Sequence, residues 1–201
     1  MDTLIMAAFI AAGVHMLNLR QQRRRIGLLA RHLANYQIEK LMENLLEGYL
    51  RALGEKEEAR RDQIWQLLRT TEQQLAEQFQ RFAAEFSQVP PEKTRVSRMP
   101  VALPFALQLF PAASFDLRQA FVAHAQGIAR GVRNDAGLTQ RDKAFTLTAE
   151  LLLMQHTCHW FCKSKTVASA RMVARHRTPH QQLVESISPE TRRAYLALVE
   201  A

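Results

Sequence analysis

The sequence predicts an all-α protein in which a single N-terminal transmembrane helix precedes a cytoplasmic bundle of about four long helices, a helical hairpin plus two to four others. Apolar residues make up 47% of the 201 residues, so a sizeable core can be buried. There are only 7 Gly and 7 Pro, and the prolines cluster, which leaves long stretches free of helix breakers. Apolar residues recur in these stretches at steps of three and four, the period of an amphipathic helix.

The first element is an uncharged run from Thr3 to Leu19, and residues 1–19 are therefore assigned as a transmembrane anchor. As a helix the run would extend about 25 Å, slightly less than the ~30 Å hydrocarbon core of a bilayer. Because it is short, a buried core helix or an interfacial helix is the alternative. Asp2 precedes the run and arginines follow it, which reverses the charge order of a secretory signal peptide.

The charges that follow the anchor predict its orientation. The membrane-interface residues are Arg20, Arg23, Arg24 and Arg25. The positive-inside rule then places the N-terminus outside and the body in the cytoplasm. We therefore expect a single-pass protein of the inner (plasma) membrane.

Residues 20–89 are predicted to form an antiparallel helical hairpin. An apolar stripe over residues 26–53 predicts its first helix, with Gly54 directly after the helix end. A near-heptad stripe over residues 64–89 predicts the second helix, of coiled-coil type, and two prolines end it. The face of the first helix opposite its stripe is predicted to be solvated and carries Glu39, Glu43 and Glu47.

Residues 90–113 contain five prolines and read as a linker between two helical parts of one bundle. The linker is unusually apolar, so we expect it to lie over the bundle, with a short helix at about residues 103–110.

Residues 114–201 are predicted to be the C-terminal helical part of the same bundle. A helix begins at the N-cap Ser114 and ends in a turn at residues 134–137. Thr139 caps a long helix that is expected to continue to about Arg177, and Ser188 caps a last short helix.

One segment of the long helix groups four side chains that can bind metals: His156, Cys158, His159 and Cys162. Three of them, Cys158, His159 and Cys162, share an arc of about 100° on a helix with 3.6 residues per turn. Such an arc could begin a zinc, copper or haem site, or hold a redox thiol. Core packing is favoured, because both cysteines lie at the centre of the apolar stripe, where free Cys behaves as a small hydrophobe. The Cys-x-x-Cys-His signature of a c-type haem is absent.

The net charge of +8, from 27 Lys and Arg against 19 Asp and Glu, is concentrated in two zones that lack acids. One zone follows the anchor and the other lies near the end of the long helix. In the second zone the basic surface residues are Lys163, Arg171 and Arg175, which would share an outer helix face. Such a face is either simply solvated or binds anionic lipid or nucleic acid.

No pattern typical of an enzyme occurs, since the Gly-rich phosphate loop, His-Glu-x-x-His and Gly-x-Ser-x-Gly are all missing. We therefore expect a non-enzymatic membrane-anchored scaffold, adaptor or assembly factor without a cofactor. One alternative is a metal- or haem-binding redox protein using the segment from Cys158 to Cys162. Another is binding of nucleic acid or anionic lipid by the basic face of the 140–177 helix.

The expected partners are membrane lipid and another protein. A second copy of the chain is a candidate, because Ala7 and Ala11 have the small-residue spacing of packed membrane helices. Nucleic acid is the disfavoured partner. With only two cysteines the chain suits a reducing compartment.

Overall fold

The computed structural model of this chain describes residues 2–200, and it confirms the all-α class. The described residues contain ten helices, and the structure is about 78% helical with almost no strand. Within residues 2–200 the helices are α1 (Asp2–Leu33), α2 (Ile38–Gly54), α3 (Glu58–Phe86), α4 (Pro91–Thr94), α5 (Ala106–Leu109), α6 (Leu117–Arg133), α7 (Gln140–Cys162), α8 (Lys165–His176), α9 (His180–Ser186) and α10 (Pro189–Val199). Two strands, β1 (Arg95–Ser97) and β2 (Ser114–Asp116), complete the fold.

α1 is one continuous helix of 32 residues that includes both the uncharged run and the arginines behind it. At 1.5 Å per residue it extends about 48 Å, so its second half continues beyond any bilayer that the first half crosses. The helix is long and apolar enough to cross a membrane, and none of its most apolar 18-residue window is buried against the body. This apolar window is therefore not part of the core, whereas Leu29 in the second half of α1 is buried in it.

The hairpin differs from the prediction, because the expected helix over residues 26–53 is broken at residues 34–37. The break is stabilised by α3, where Gln78 accepts a hydrogen bond from the Gln37 amide and Glu85 accepts one from Tyr36. The first contact satisfies a backbone amide that the start of α2 would leave free, and the second attaches the Tyr36 side chain to α3. The hairpin is formed by α2 and α3 alone, and Gly54 is the last residue of α2 rather than the residue after it.

The proline-rich segment has more structure than a linker. It contains α4, β1 and α5, and β1 pairs antiparallel with β2 in the register Val96↔Phe115. Ser114 therefore begins a strand, and Asp116, whose side chain accepts from the Arg118 amide, caps α6 in its place. Three-residue strands are too short to show an alternating pattern in the sequence.

The expected long helix from Thr139 to Arg177 is also wrong, because α7 ends at Cys162 and α8 begins at Lys165. Ser164 supplies the new N-cap, and its hydroxyl accepts from the Val167 amide. Serine is among the strongest N-cap residues, so it can start a helix within an otherwise helical pattern.

Three of the smaller sequence predictions are confirmed. Thr139 caps α7 and bonds with Asp142, and Ser188 caps α10. The turn before α7 holds Asn134 and Gly137 at φ of 59° and 63°, the left-handed region that Asn and Gly tolerate.

Candidate protein-binding groove

An open apolar groove runs beside the second half of α1, with a volume of about 960 Å³. It lies between α1, α2, α7 and α8. Its apolar lining includes Ile26, Leu29, Leu33, Met42, Leu46, Leu50 and Met154. Two of these side chains remain open to solvent, since Ile26 is 41% and Leu50 73% exposed. A groove of this size and lining suits an apolar ligand or a helix side.

The break at residues 34–37 is what builds the groove. The predicted stripe over residues 26–53 would lie on one side of a single helix, but the break divides it between α1 and α2. Each helix buries part of the stripe in the core, as Leu29 and Leu45 show. Of the remaining stripe residues, Leu33 and Leu46 line the groove while packing against the core, and Ile26 and Leu50 line it with much of their surface exposed.

The rim of the groove is charged. Glu39, Glu43 and Glu47 are exposed, lie four residues apart on α2 and line one wall. Residues at i and i+4 share a helix face, so the three carboxylates form a row. Arg175 and His176 of α8 also line the groove. The three glutamates are exposed, as predicted, and they also form the edge of an apolar groove.

Both cysteines line the same groove, half-buried and free. The Cys158 sulfur lies 4.0 Å from the Met154 sulfur. Burial raises the pKa of both thiols, that of Cys162 to about 11. They are therefore protonated at neutral pH and are poor nucleophiles and poor metal ligands in this state.

The four candidate metal ligands do not converge. His156 is fully buried, and its Nε2 lies 3.1 Å from the Ser169 hydroxyl. His159 lines the groove beside the cysteines, and burial lowers its pKa. Among residues 2–200, no three His, Cys, Asp or Glu side chains form a group that could hold a metal ion.

His156 belongs instead to a buried histidine cluster that the sequence analysis missed. Its ring centroid lies 4.3 Å from that of His180, and His180 lies within 3.2 Å of the Tyr195 hydroxyl. His124 is buried nearby against Tyr195 and lies 2.9 Å from the Thr157 hydroxyl. Burial lowers the pKa values of His124, His156 and His180 to about 3, 2 and 4. His124 and His156 are neutral core groups, and His180 is half-buried beside them. The one sequence signal was the position of His124 between Phe121 and Ile128 on the apolar face of α6.

The four arginines predicted to lie at the membrane interface fall into two environments. Arg20, Arg23 and Arg24 are exposed. Arg25 points into the body, where its guanidinium donates to the carbonyl oxygens of Phe161 and Arg95. Arg25 is therefore not placed to contact lipid headgroups.

The continuous 140–177 helix expected to carry the basic face is divided into α7 and α8, and of the three basic residues of that face Arg171 and Arg175 lie one turn apart on α8. Lys163 lies in the connection between the two helices and donates to Gln22 of α1 at 2.8 Å. Arg171 is exposed on α8, and Arg175 lines the groove. The two basic zones of the sequence meet where α1 passes the end of α7.

No protein-family model, no curated protein and no solved structure matches this chain. What the chain does is therefore inferred from the chemistry of the groove and of the helix beside it.

Proposed function

We propose that this protein is a membrane-anchored adaptor or scaffold whose groove binds a helix of another membrane protein. The observation that carries the proposal is the position of the groove beside a helix of membrane-spanning length. Ile26 lines the groove and lies seven residues beyond Leu19, about 10 Å along α1. A partner helix in the groove would lie just outside the bilayer.

The apolar lining supports an amphipathic helix as the occupant. Helices dock in such grooves through apolar residues at i, i+3, i+4 and i+7. The α2 wall extends from Ile38 to Leu50, about 18 Å, which matches three to four turns of a partner helix. The exposed Ile26 and Leu50 at the groove supply apolar surface that a partner would cover.

The charged rim adds a second requirement. A helix lying along the row of Glu39, Glu43 and Glu47 gains most if it carries Lys or Arg on that flank. The partner is therefore a juxtamembrane amphipathic helix with one basic edge. Complementary charge selects this partner over helices with an acidic edge.

We also propose a membrane and a side of it for the body, on the basis of the charges of α1. The exposed Arg20, Arg23 and Arg24 directly after the apolar run favour a cytoplasmic body in the inner (plasma) membrane, with the N-terminus outside. A reporter fused after residue 201 is expected to be active only in the cytoplasm. Activity of the same fusion on the outer side would overturn the topology.

The test of the groove uses a photocrosslinking residue placed at Leu50 of the full-length protein in native membranes. The matched control places the same residue at Leu67, which is equally exposed, 75% against 73%, but does not line the groove. We expect a discrete adduct from Leu50 and none from Leu67. The crosslinked peptide, identified by mass spectrometry, is expected to be an amphipathic helix with a basic edge.

A charge-reversal variant separates this partner from other outcomes. Glu43→Lys combined with Glu47→Lys is expected to reduce the Leu50 adduct, because both substitutions are at exposed positions and change the rim without touching the core. A crosslink to a second copy of the chain, to a segment without basic residues, or equally from Leu50 and Leu67 would overturn the proposal.

A further inference from the structure

A second apolar surface lies in the proline-rich segment. Within residues 101–110, five large apolar side chains are 40–67% exposed: Val101, Leu103, Phe105, Leu109 and Phe110. So dense an exposed apolar patch in a soluble loop is uncommon, and such patches mark interaction sites.

The segment is held beside the end of the uncharged run of α1. The Asn18 side chain donates to the Ala102 carbonyl at 3.1 Å, and Asn18 lies one residue before Leu19, the last residue of that run. On the other side, the amide and hydroxyl of Thr166 both donate to the Pro100 carbonyl, at 3.1 and 2.7 Å. The patch is thus fixed at the level where α1 would leave the bilayer.

Charge around the patch suits a membrane surface. Arg20, Arg23 and Arg24 are exposed within one to two turns of Asn18. Lys163 and Lys165 are half-buried at the junction of α7 and α8, next to Thr166. Apolar side chains surrounded by Lys and Arg are the composition by which peripheral segments bind anionic bilayers.

We propose that residues 101–110 insert into the bilayer leaflet beside α1, forming a second membrane contact of the body, with the exposed arginines binding anionic headgroups. This inference rests on the proposed function, in which α1 spans the membrane. A single helix leaves the body free to rotate and tilt over the bilayer. Two contacts fix its orientation, and with it the direction in which the groove faces partner helices.

The control position is remote from this surface. Lys143 and Cys162 lie 19 residues apart on α7, about 28 Å along the helix, and the Cys162 end is the end near α1. Glu72 of α3 binds Lys143 at the far end, and Leu67 lies about 8 Å further along α3. Leu67 is 75% and Leu109 67% exposed, so the two positions are matched in exposure.

The experiment introduces Leu109→Trp, or Leu67→Trp as the control, into the full-length protein in vesicles containing phosphatidylglycerol. Some vesicles carry lipids brominated near the top of the acyl chain, which quench tryptophan fluorescence on contact. The native Trp65 and Trp160 are buried and give the same background in each protein. We expect extra quenching and a blue-shifted emission for Leu109→Trp and neither for Leu67→Trp.

The same vesicles are then washed with alkaline carbonate, which removes proteins that do not span the bilayer. Retention of the protein without extra quenching of Leu109→Trp would overturn the second contact while leaving the anchor intact. Release of the protein would overturn the anchor, and the second contact with it. Equal quenching at both positions would also contradict the inference, because it would place the body on the bilayer without this orientation.

Discussion

At the scale of single residues, the core is held by polar groups that a hydrophobic pattern does not show. Glu72 of α3 accepts hydrogen bonds from the Tyr49 hydroxyl of α2 at 2.7 Å and from the Lys143 ammonium of α7. All three side chains are buried, and burial, followed by the nearby charge of Glu72, raises the pKa of Tyr49. One carboxylate therefore joins three helices at a point where each unpaired charge would be costly.

Lys143→Met is expected to reduce the free energy of unfolding by about 3–5 kcal/mol, because it leaves Glu72 buried without its counter-ion. The measurement is chemical denaturation of the purified protein in detergent. The triple variant Tyr49→Phe, Glu72→Leu, Lys143→Met is expected to recover most of the loss, since apolar replacement of a whole buried ion pair is often neutral. A single variant as stable as the native protein would contradict this role of the pair.

The buried histidines make stability depend on pH. The pKa of His156 is lowered to about 2 by burial, below its unfolded value of about 6.5. The contribution of neutral His156 to the free energy of unfolding is therefore fully present above pH 6.5. It is lost as the pH falls below 6.5, by about 1.4 kcal/mol per pH unit, because the unfolded state takes up the proton.

Between pH 6.5 and 4.5 the unfolding free energy of His156→Gln is expected to fall less steeply with decreasing pH than that of the native protein. The expected difference in slope corresponds to about one proton taken up on unfolding. Ser169→Ala is the matched control, because it removes the same hydrogen bond and keeps the titrating ring. Denaturation curves across this pH range check the difference. Identical slopes for His156→Gln and the native protein would show that His156 does not titrate on unfolding.

At the scale of helices, close approach is set by a glycine of α6. A Cβ added at Gly127 would collide with the Thr191 hydroxyl of α10 and the Glu150 carboxylate of α7. Glu150 in turn accepts from the amide and the hydroxyl of Ser188, which caps α10. The absence of a side chain at residue 127 lets α6, α7 and α10 meet around one carboxylate.

Gly127→Ala is expected to destabilise the protein by about 1–3 kcal/mol, the usual cost of overpacking. Gly27→Ala is the control within α1, where an added Cβ meets nothing within 4 Å. That change is expected to stabilise by about 0.5–1 kcal/mol, since Ala is the better helix former. Thermal melts of the two variants should move in opposite directions, and a shift of both in the same direction would contradict the close packing.

Helix periodicity predicted the all-α class and the apolar N-terminal helix, and the local cap signals at Thr139 and Ser188 predicted the starts of α7 and α10. It failed where a break lies inside a continuous apolar pattern. The ends at Leu33 and Cys162 depend on contacts with α3 and on the Ser164 cap, and the first of these is a tertiary effect. The groove forms where these helices end. The sequence therefore predicted the apolar stripe that lines it, but it did not predict that the stripe is divided to form a groove.

At the scale of the whole molecule, α1 is bonded to the body through a buried arginine. Arg25 donates to the Phe161 and Arg95 carbonyls, and its guanidinium lies 5.3 Å from the centre of the Phe161 ring. Burial of this cation lowers its pKa, so its two carbonyl partners matter for stability. Arg25 therefore connects the second half of α1 to the end of α7 and to β1.

Arg25→Gln is expected to loosen the connection between α1 and α7, with Arg24→Gln as the exposed control. Amide hydrogen exchange in detergent should be faster around residues 158–163 in the Arg25 variant only, because the contacts that protect the α7 end are lost. Equal exchange in both variants would show that Arg25 does not couple the anchor to the body.

The most direct measurement of the central claim is the intact mass of the protein that remains in native membranes after an alkaline carbonate wash. The apolar run of α1 is exposed from Thr3 to Leu17 and has the length of a spanning helix, so the protein should remain with its N-terminal segment uncleaved. Release into the wash, or a retained form that has lost the residues before Arg20, would contradict the claim that α1 anchors this protein in the membrane.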